Sequence, residues 1–191
     1  MLLPFRRICV FCGSSPGHQA GYAAAARATG ERLARLNIEV VYGGSNIGLM
    51  GLVADAALSA GGRVTGVIPD FFVGREVAHR GLSELVLTGS MHERKARMAS
   101  LADAFLALPG GFGTFDEMFE ILTWAQLRLH AKPCGFLNVN GFYDPLLAML
   151  DHATAEGFLR PEHRELVMAG SELDPLLERM AAAAPLSLDN V

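Results

Sequence analysis

Lysine is almost missing from this sequence. Of the 16 basic residues among 191, only Lys95 and Lys132 are lysines. Basic charge is short overall, with 20 acidic residues against 16 basic and a net charge of −4. Such a chain has no positive field to gather a phosphodiester backbone, which excludes the nucleic-acid-binding class. Nowhere do 18 apolar residues run together, so no membrane span is expected. The first seven residues are too short and too soon charged for a secretory leader, and a cytoplasmic location is expected. Cysteine is scarce and odd in number, at three. Cys9 and Cys12 are spaced C-x-x-C, but on a strand residues i and i+3 point to opposite faces. No second pair or nearby histidine completes a metal site, so buried, reduced thiols are expected, with neither metal nor redox use. Internal repeats and linkers are lacking too. What remains is 51% apolar and 19% charged residues, enough for a large core. One domain over 1–191 is expected, with a frayed tail at 185–191.

Apolar strand-like runs alternate with helical segments. Strands are expected at 7–12, 38–42, 63–68, 85–88, 104–108, 135–139 and 166–169. Helices are expected at 18–36, 48–60, 91–101, 114–129, 145–156 and 173–184, with a loop at 71–81. Gly21 and Gly30 weaken the first helix. Ser90 and Glu93 read as a capping box opening the helix at 91. This alternation implies an α/β, doubly wound, Rossmann-like parallel sheet with helices on both faces. Three strands end in small-residue loops, at 13–17, 43–46 and 109–114. All should lie on the carboxyl edge, where ligands bind beside the topological switch point.

Pro109-Gly110-Gly111-Phe112-Gly113-Thr114-Phe115-Asp116-Glu117 follows a strand and opens a helix. Its glycines let backbone N–H groups approach an anion, and the helix N-terminus adds unpaired donors. It is neither a Walker A loop, lacking Lys-Ser/Thr, nor a dinucleotide fingerprint, having Asp116 at the third glycine position. Glu117 is read as a first-turn carboxylate. Met91, Met98 and Ala102 form the expected buried stripe of their helix, which sets Arg94 off the core face. The helix at 114–129 is apolar nearly all round, through Ile121, Trp124 and Leu127. That pattern fits either a subunit interface beside the site or a deeply buried helix.

Gly43-Gly44-Ser45, Met91-His92-Glu93-Arg94-Lys95, the stretch from Pro109 to Glu117, and Leu122-Thr123-Trp124-Ala125-Gln126-Leu127 together resemble the LOG family. Its members are cytokinin riboside 5′-monophosphate phosphoribohydrolases, often mislabelled lysine decarboxylases. The resemblance covers about residues 8–168. It implies a Rossmann-like fold, a homodimer, no cofactor, and hydrolysis of the N-glycosidic bond of an adenosine-type 5′-monophosphate. The family's essential Arg and Glu fall on Arg94 and Glu117. Its substrate contacts fall on Glu76, Lys95, Gly111, Phe112, Gly113, Thr114 and Thr123. Gly43, Gly44, Ser45 and Ser14, from the other two loops of the same edge, are further candidates. Phe112 stands where many members carry Tyr, and Asp116 where a second Glu is common. A carboxylate near C1′ suits an oxocarbenium-like transition state, and an arginine fork suits substrate oxyanions. Thr123 lies about 600° of helical rotation from Glu117 and so faces away from that carboxylate, which leaves its substrate contact open between its own site and a partner's. Decarboxylation would need a Schiff-base lysine, and only two lysines exist. A general nucleotide 5′-monophosphate nucleosidase and a non-catalytic nucleotide or cofactor carrier remain the alternatives.

Overall fold

The structure, a computed structural model, describes residues 3–73 and 78–183. Glu76 and the tail at 185–191 therefore lie outside the described residues. Seven parallel strands form one sheet among the described residues: β1 (Arg7–Phe11), β2 (Glu39–Tyr42), β3 (Val64–Pro69), β4 (Glu84–Thr88), β5 (Ala104–Ala107), β6 (Cys134–Leu137) and β7 (Val167–Gly170). Their order is β4-β3-β2-β1-β5-β6-β7, so the winding reverses between β1 and β5. Each central strand is buried over nearly its whole length, as a sheet covered on both faces requires.

The helices are α1 (Ala20–Arg35), α2 (Gly48–Ser59), α3 (Asp70–Val73), α4 (Met91–Leu101), α5 (Phe112–Gln126), α6 (Asp144–Ala155), α7 (Pro161–Arg164) and α8 (Leu173–Ala182). The short α3 begins where a loop was expected, and α7 was not anticipated. One-turn helices bury too few residues to leave a periodic signal. The face under α1, α2 and α8 is filled by Ile8, Val10, Leu33, Val40, Tyr42, Val53 and Leu176. The face under α4 and α5 is filled by Cys9, Phe11, Val41, Met98, Phe105, Met118 and Phe136. Cys9 and Cys12 do fall on opposite faces, and all three thiols are free and buried. Gly30 is not a weakness of α1: a Cβ there would lie 2.2 Å from the Val53 carbonyl oxygen, so its absence lets α1 and α2 touch.

Candidate active site

The three small-residue loops leave β1, β2 and β5, adjacent strands at the carboxyl edge. The Gly13 N–H donates to the Pro109 carbonyl at 3.0 Å, joining the first and third loops at the switch point. Beside this junction lies a cleft of about 230 Å³, lined by Gly13 to Gly17, Tyr22, Leu49, Pro109 to Gly111 and Phe142. Ser14 is part of that lining. Tyr143, buried on α6's approach, donates its hydroxyl to the Leu108 carbonyl at 2.6 Å and so braces the strand end that carries the third loop. Nothing local in the sequence marks that role, because the contact spans 35 residues.

Helix α5 begins earlier than expected. Gly111 is its N-cap, with no side-chain cap, and the first helical bond runs from the Phe115 N–H to the Gly111 carbonyl. The N–H groups of Phe112, Gly113 and Thr114 precede that bond and have no helical acceptor. Nothing lies within 4 Å of where a Cβ would stand on Gly111 or Gly113, so this end is open. Together these features make an anion-ready N-terminus. The earlier start also moves Glu117 into the second turn. The helix dipole, which acts over the first turn, is not what governs its carboxylate.

A buried guanidinium governs it instead. Arg94 is 8% exposed, against the expectation that it faces away from the core, whereas Met91 is 39% exposed. Arg94 Nη1 donates to Glu117 Oε1 at 2.7 Å, and Nε donates to the Val67 carbonyl at 3.1 Å. Burial alone pushes the Glu117 carboxyl up, and the charge and hydrogen bond of Arg94 pull it part of the way back. The net shift is upward. A stripe analysis fails for Arg94 because its length lets the head reach under β3's end to a backbone acceptor, which a helix wheel does not register.

Lys95, one residue on, meets different partners. Its Nζ lies 3.0 Å from Asp116 Oδ2 and 3.1 Å from Glu120 Oε2, tying α4 to α5. Burial lowers its pKa, but the hydrogen bonds it donates to the two carboxylates, with their charges, outweigh this and hold it above the ordinary value. Gly43 forms a wall against Arg94: a Cβ there would lie 2.0 Å from Nη2. Gly44 has a φ of +74°, and Ser45 is buried. Phe112 is 94% exposed at the mouth of the cradle, and Thr114 is buried. Thr123 is on the solvent side of α5, donating to the Phe119 carbonyl, while Glu117 faces inward. The chain thus gathers Arg94, Glu117, Gly111, Gly113 and Thr114 but leaves Thr123 outside. The Ser90–Glu93 cap forms in a shifted register: Ser90 Oγ accepts from the Glu93 N–H, and Glu93 reaches the Gly89 N–H instead of that of Ser90.

Residues 50–180 match the family model described as "Possible lysine decarboxylase". A relative from Oryza sativa subsp. japonica, named a probable cytokinin riboside 5′-monophosphate phosphoribohydrolase, is 50% identical over 95% of this chain and 74% of its own length. An Arabidopsis thaliana protein named cytokinin riboside 5′-monophosphate phosphoribohydrolase is 47% identical over 95% of this chain and 84% of its own. The chain belongs to the LOG family. Its fold is shared more widely. A molybdenum cofactor binding protein from Rippkaea orientalis superposes with a TM-score of 0.70 at 20% identity, over 92% of this chain and 95% of that one. The Moco carrier protein of Chlamydomonas reinhardtii gives 0.67 at 19%, over 92% and 98%. At those identities the likeness is one of fold alone. Within a LOG-family site, the pairing of Arg94 with Glu117 beside an open α5 N-terminus is the chemically distinctive feature. Among the described residues no helix is long and apolar enough to cross a membrane, and no group of three or more metal-ligating side chains occurs.

Proposed function

We propose that this protein hydrolyses the N-glycosidic bond of a cytokinin riboside 5′-monophosphate, giving the free N6-substituted adenine and ribose 5-phosphate. The observation that carries the reading is the buried 2.7 Å Arg94–Glu117 pair beside the uncapped N-terminus of α5. The 5′-phosphate is held by the N–H groups of Gly113 and Thr114 and by the α5 dipole, where no acidic residue stands in the first turn. That anchor brings C1′ to Glu117. As the glycosidic bond breaks, its electron pair leaves with the base and positive charge grows on the sugar. The Glu117 carboxylate stabilises that charge and takes a proton from the attacking water. Arg94 opposes the proton uptake that burial favours at Glu117 and offers donors to substrate oxygen atoms. The hydroxyl ends on C1′, and the proton taken up by Glu117 is passed to the departing base, which restores the carboxylate.

The lysines do not favour decarboxylation. Lys95 is held by two carboxylates, and Lys132 Nζ donates to the Ala99 carbonyl at the end of α4. Assembly as a homodimer across α5 is part of the proposal. Phe112, Leu127 and Leu129 are 94%, 60% and 68% exposed, and Thr123 shares α5's solvent side. Ile121, expected as an interface residue, is 2% exposed within its own protomer and is unavailable for it. A cytoplasmic location remains a further expectation.

The test is release of free base from isopentenyl-AMP, AMP, CMP, IMP and the matching nucleosides. Preferred turnover of isopentenyl-AMP is the expected result. Equal turnover of all the monophosphates would indicate a general nucleotide nucleosidase. Tight binding with no base released would indicate a carrier. Light scattering of Leu127→Asp checks the dimer: a variant that stays dimeric puts the interface elsewhere.

A further inference from the structure

Arg94 has a wall as well as partners. The face of its guanidinium that is not spent on Glu117 and Val67 lies against Gly43, where not even a methyl group would fit. The loop that carries Gly43 is itself fastened from outside. Ala78 pairs with Ser45 in an isolated antiparallel bridge, and the His79 N–H donates to the Gly44 carbonyl at 2.9 Å. The His79 ring then locks that segment to α2. Its Nδ1 accepts from the Gly81 N–H at 3.1 Å, so the ring hydrogen sits on Nε2 and is donated to Asp55 Oδ1 at 2.9 Å. The ring is nearly enclosed, at 11% side-chain exposure, whereas Asp55 is 66% exposed.

We propose that His79 and Asp55 form a clamp that positions Arg94 by holding the Gly43-Gly44 loop against its guanidinium. With the clamp closed, the guanidinium has one place to lie, and Nη1 is aimed at Glu117. With it open, the loop can retreat and the guanidinium can swing away from the carboxylate. The charged and titratable groups around Glu117 are Arg94 and Lys95 from α4, Asp116 from its own helix, and the thiols of Cys9 and Cys12 at β1. Of these, Arg94 packs against Gly43 of the loop. Loss of the clamp therefore weakens one specific influence on Glu117 and leaves the others in place. His79 and Asp55 are positioning residues in this scheme and touch no substrate. The clamp rests on the reading of Arg94 and Glu117 as the reacting pair.

The test uses the full chain with His79→Ala, Asp55→Ala and Asp55→Asn. An Asn at 55 still presents an oxygen to the ring N–H, so it should rescue what Ala loses. The first readout needs no substrate: the ¹³C-carboxyl titration of Glu117, assigned by its absence in Glu117→Gln. Its midpoint should move up in both Ala variants and stay at the wild-type value in Asp55→Asn. The second readout is turnover of isopentenyl-AMP. There the Ala variants should lose about tenfold or more in kcat, with KM within about threefold, since a small misplacement of a reacting group is expensive. Thermal unfolding supplies the folded fraction. An unmoved Glu117 midpoint, with activity falling only in proportion to the folded fraction, overturns the clamp. So does an Asp55→Asn as impaired as Asp55→Ala. If wild-type protein releases no base, the proposed function fails, and the substrate-free titration still decides the clamp. If His79→Ala does not fold, the two variants at exposed Asp55 carry the same comparison.

Discussion

Two neighbouring cations of α4, Arg94 and Lys95, tie it to carboxylates of α5. Arg94 pairs with Glu117, and Lys95 with Asp116 and Glu120. Successive helical residues are turned by about 100°, and that rotation separates their environments. Glu117 is 11% exposed in its side chain and Asp116 is 61% exposed. Water screens the outer pair, so it contributes modestly and mainly fixes how the helices dock. The inner pair is desolvated, and each member is costly to leave alone. The same charges one residue apart thus give a screened brace and a desolvated pair, the one proposed above as the reaction centre.

The largest effect should come from separating the two carboxylates. Glu117→Gln should lower kcat about 100-fold or more with nucleotide affinity kept within severalfold, while Asp116→Asn should stay within a few-fold. Steady-state kinetics on both decides it, and equal losses would erase the distinction between brace and centre. The cations come next. Arg94→Lys removes a fork that bonds Val67 and Glu117 together and should cost roughly ten- to a hundredfold in kcat/KM. Lys95→Arg should cost little, because a single point charge between two carboxylates is easily replaced.

A pH–rate profile sharpens the comparison further. Burial raises the Glu117 pKa, so the carboxyl keeps its proton to a higher pH than an ordinary carboxylate. Activity that needs the ionised form is then lost as pH falls through that raised value. The acid limb of kcat/KM should lie above the usual carboxylate range of about 4.3, and Arg94→Gln should move it higher still. An acid limb at the ordinary value would argue against Glu117 as the titrating group. The smallest effect concerns stability. Lys95→Met should cost under about 1 kcal/mol in chemical denaturation, since its better partner is largely exposed.

Much of this was legible beforehand. Alternating strands and helices announced the parallel sheet, and glycine-ended strands announced the ligand edge. The opposite facing of Cys9 and Cys12 followed from strand periodicity alone. The helix at Thr114 was placed two residues late, because Gly111 was not recognisable as a cap without a side-chain acceptor. That slip moved Glu117 to the wrong turn and assigned its carboxylate to the wrong field. Arg94 was set on the wet face because a helix wheel tracks Cβ directions, not the reach of a long side chain. Tyr143, Glu120 and the His79–Asp55 pair left no signal at all.

The sequence by itself determined what depends on neighbours along the chain: element type, sheet class, the open glycine loop, and the family to which the chain belongs. Tertiary structure decided which charges are dry. The Arg94 and Lys95 side chains are both 10% exposed, but the meeting of α4 with Val67, Gly43 and Glu117 gives Arg94 a dry carboxylate, whereas Lys95 reaches Asp116, which is 61% exposed. Burial is set by what packs from distant parts of the chain. Desolvation, which sets the Arg94–Glu117 pair apart from an ordinary surface ion pair, is therefore a property of the fold and not of the motif.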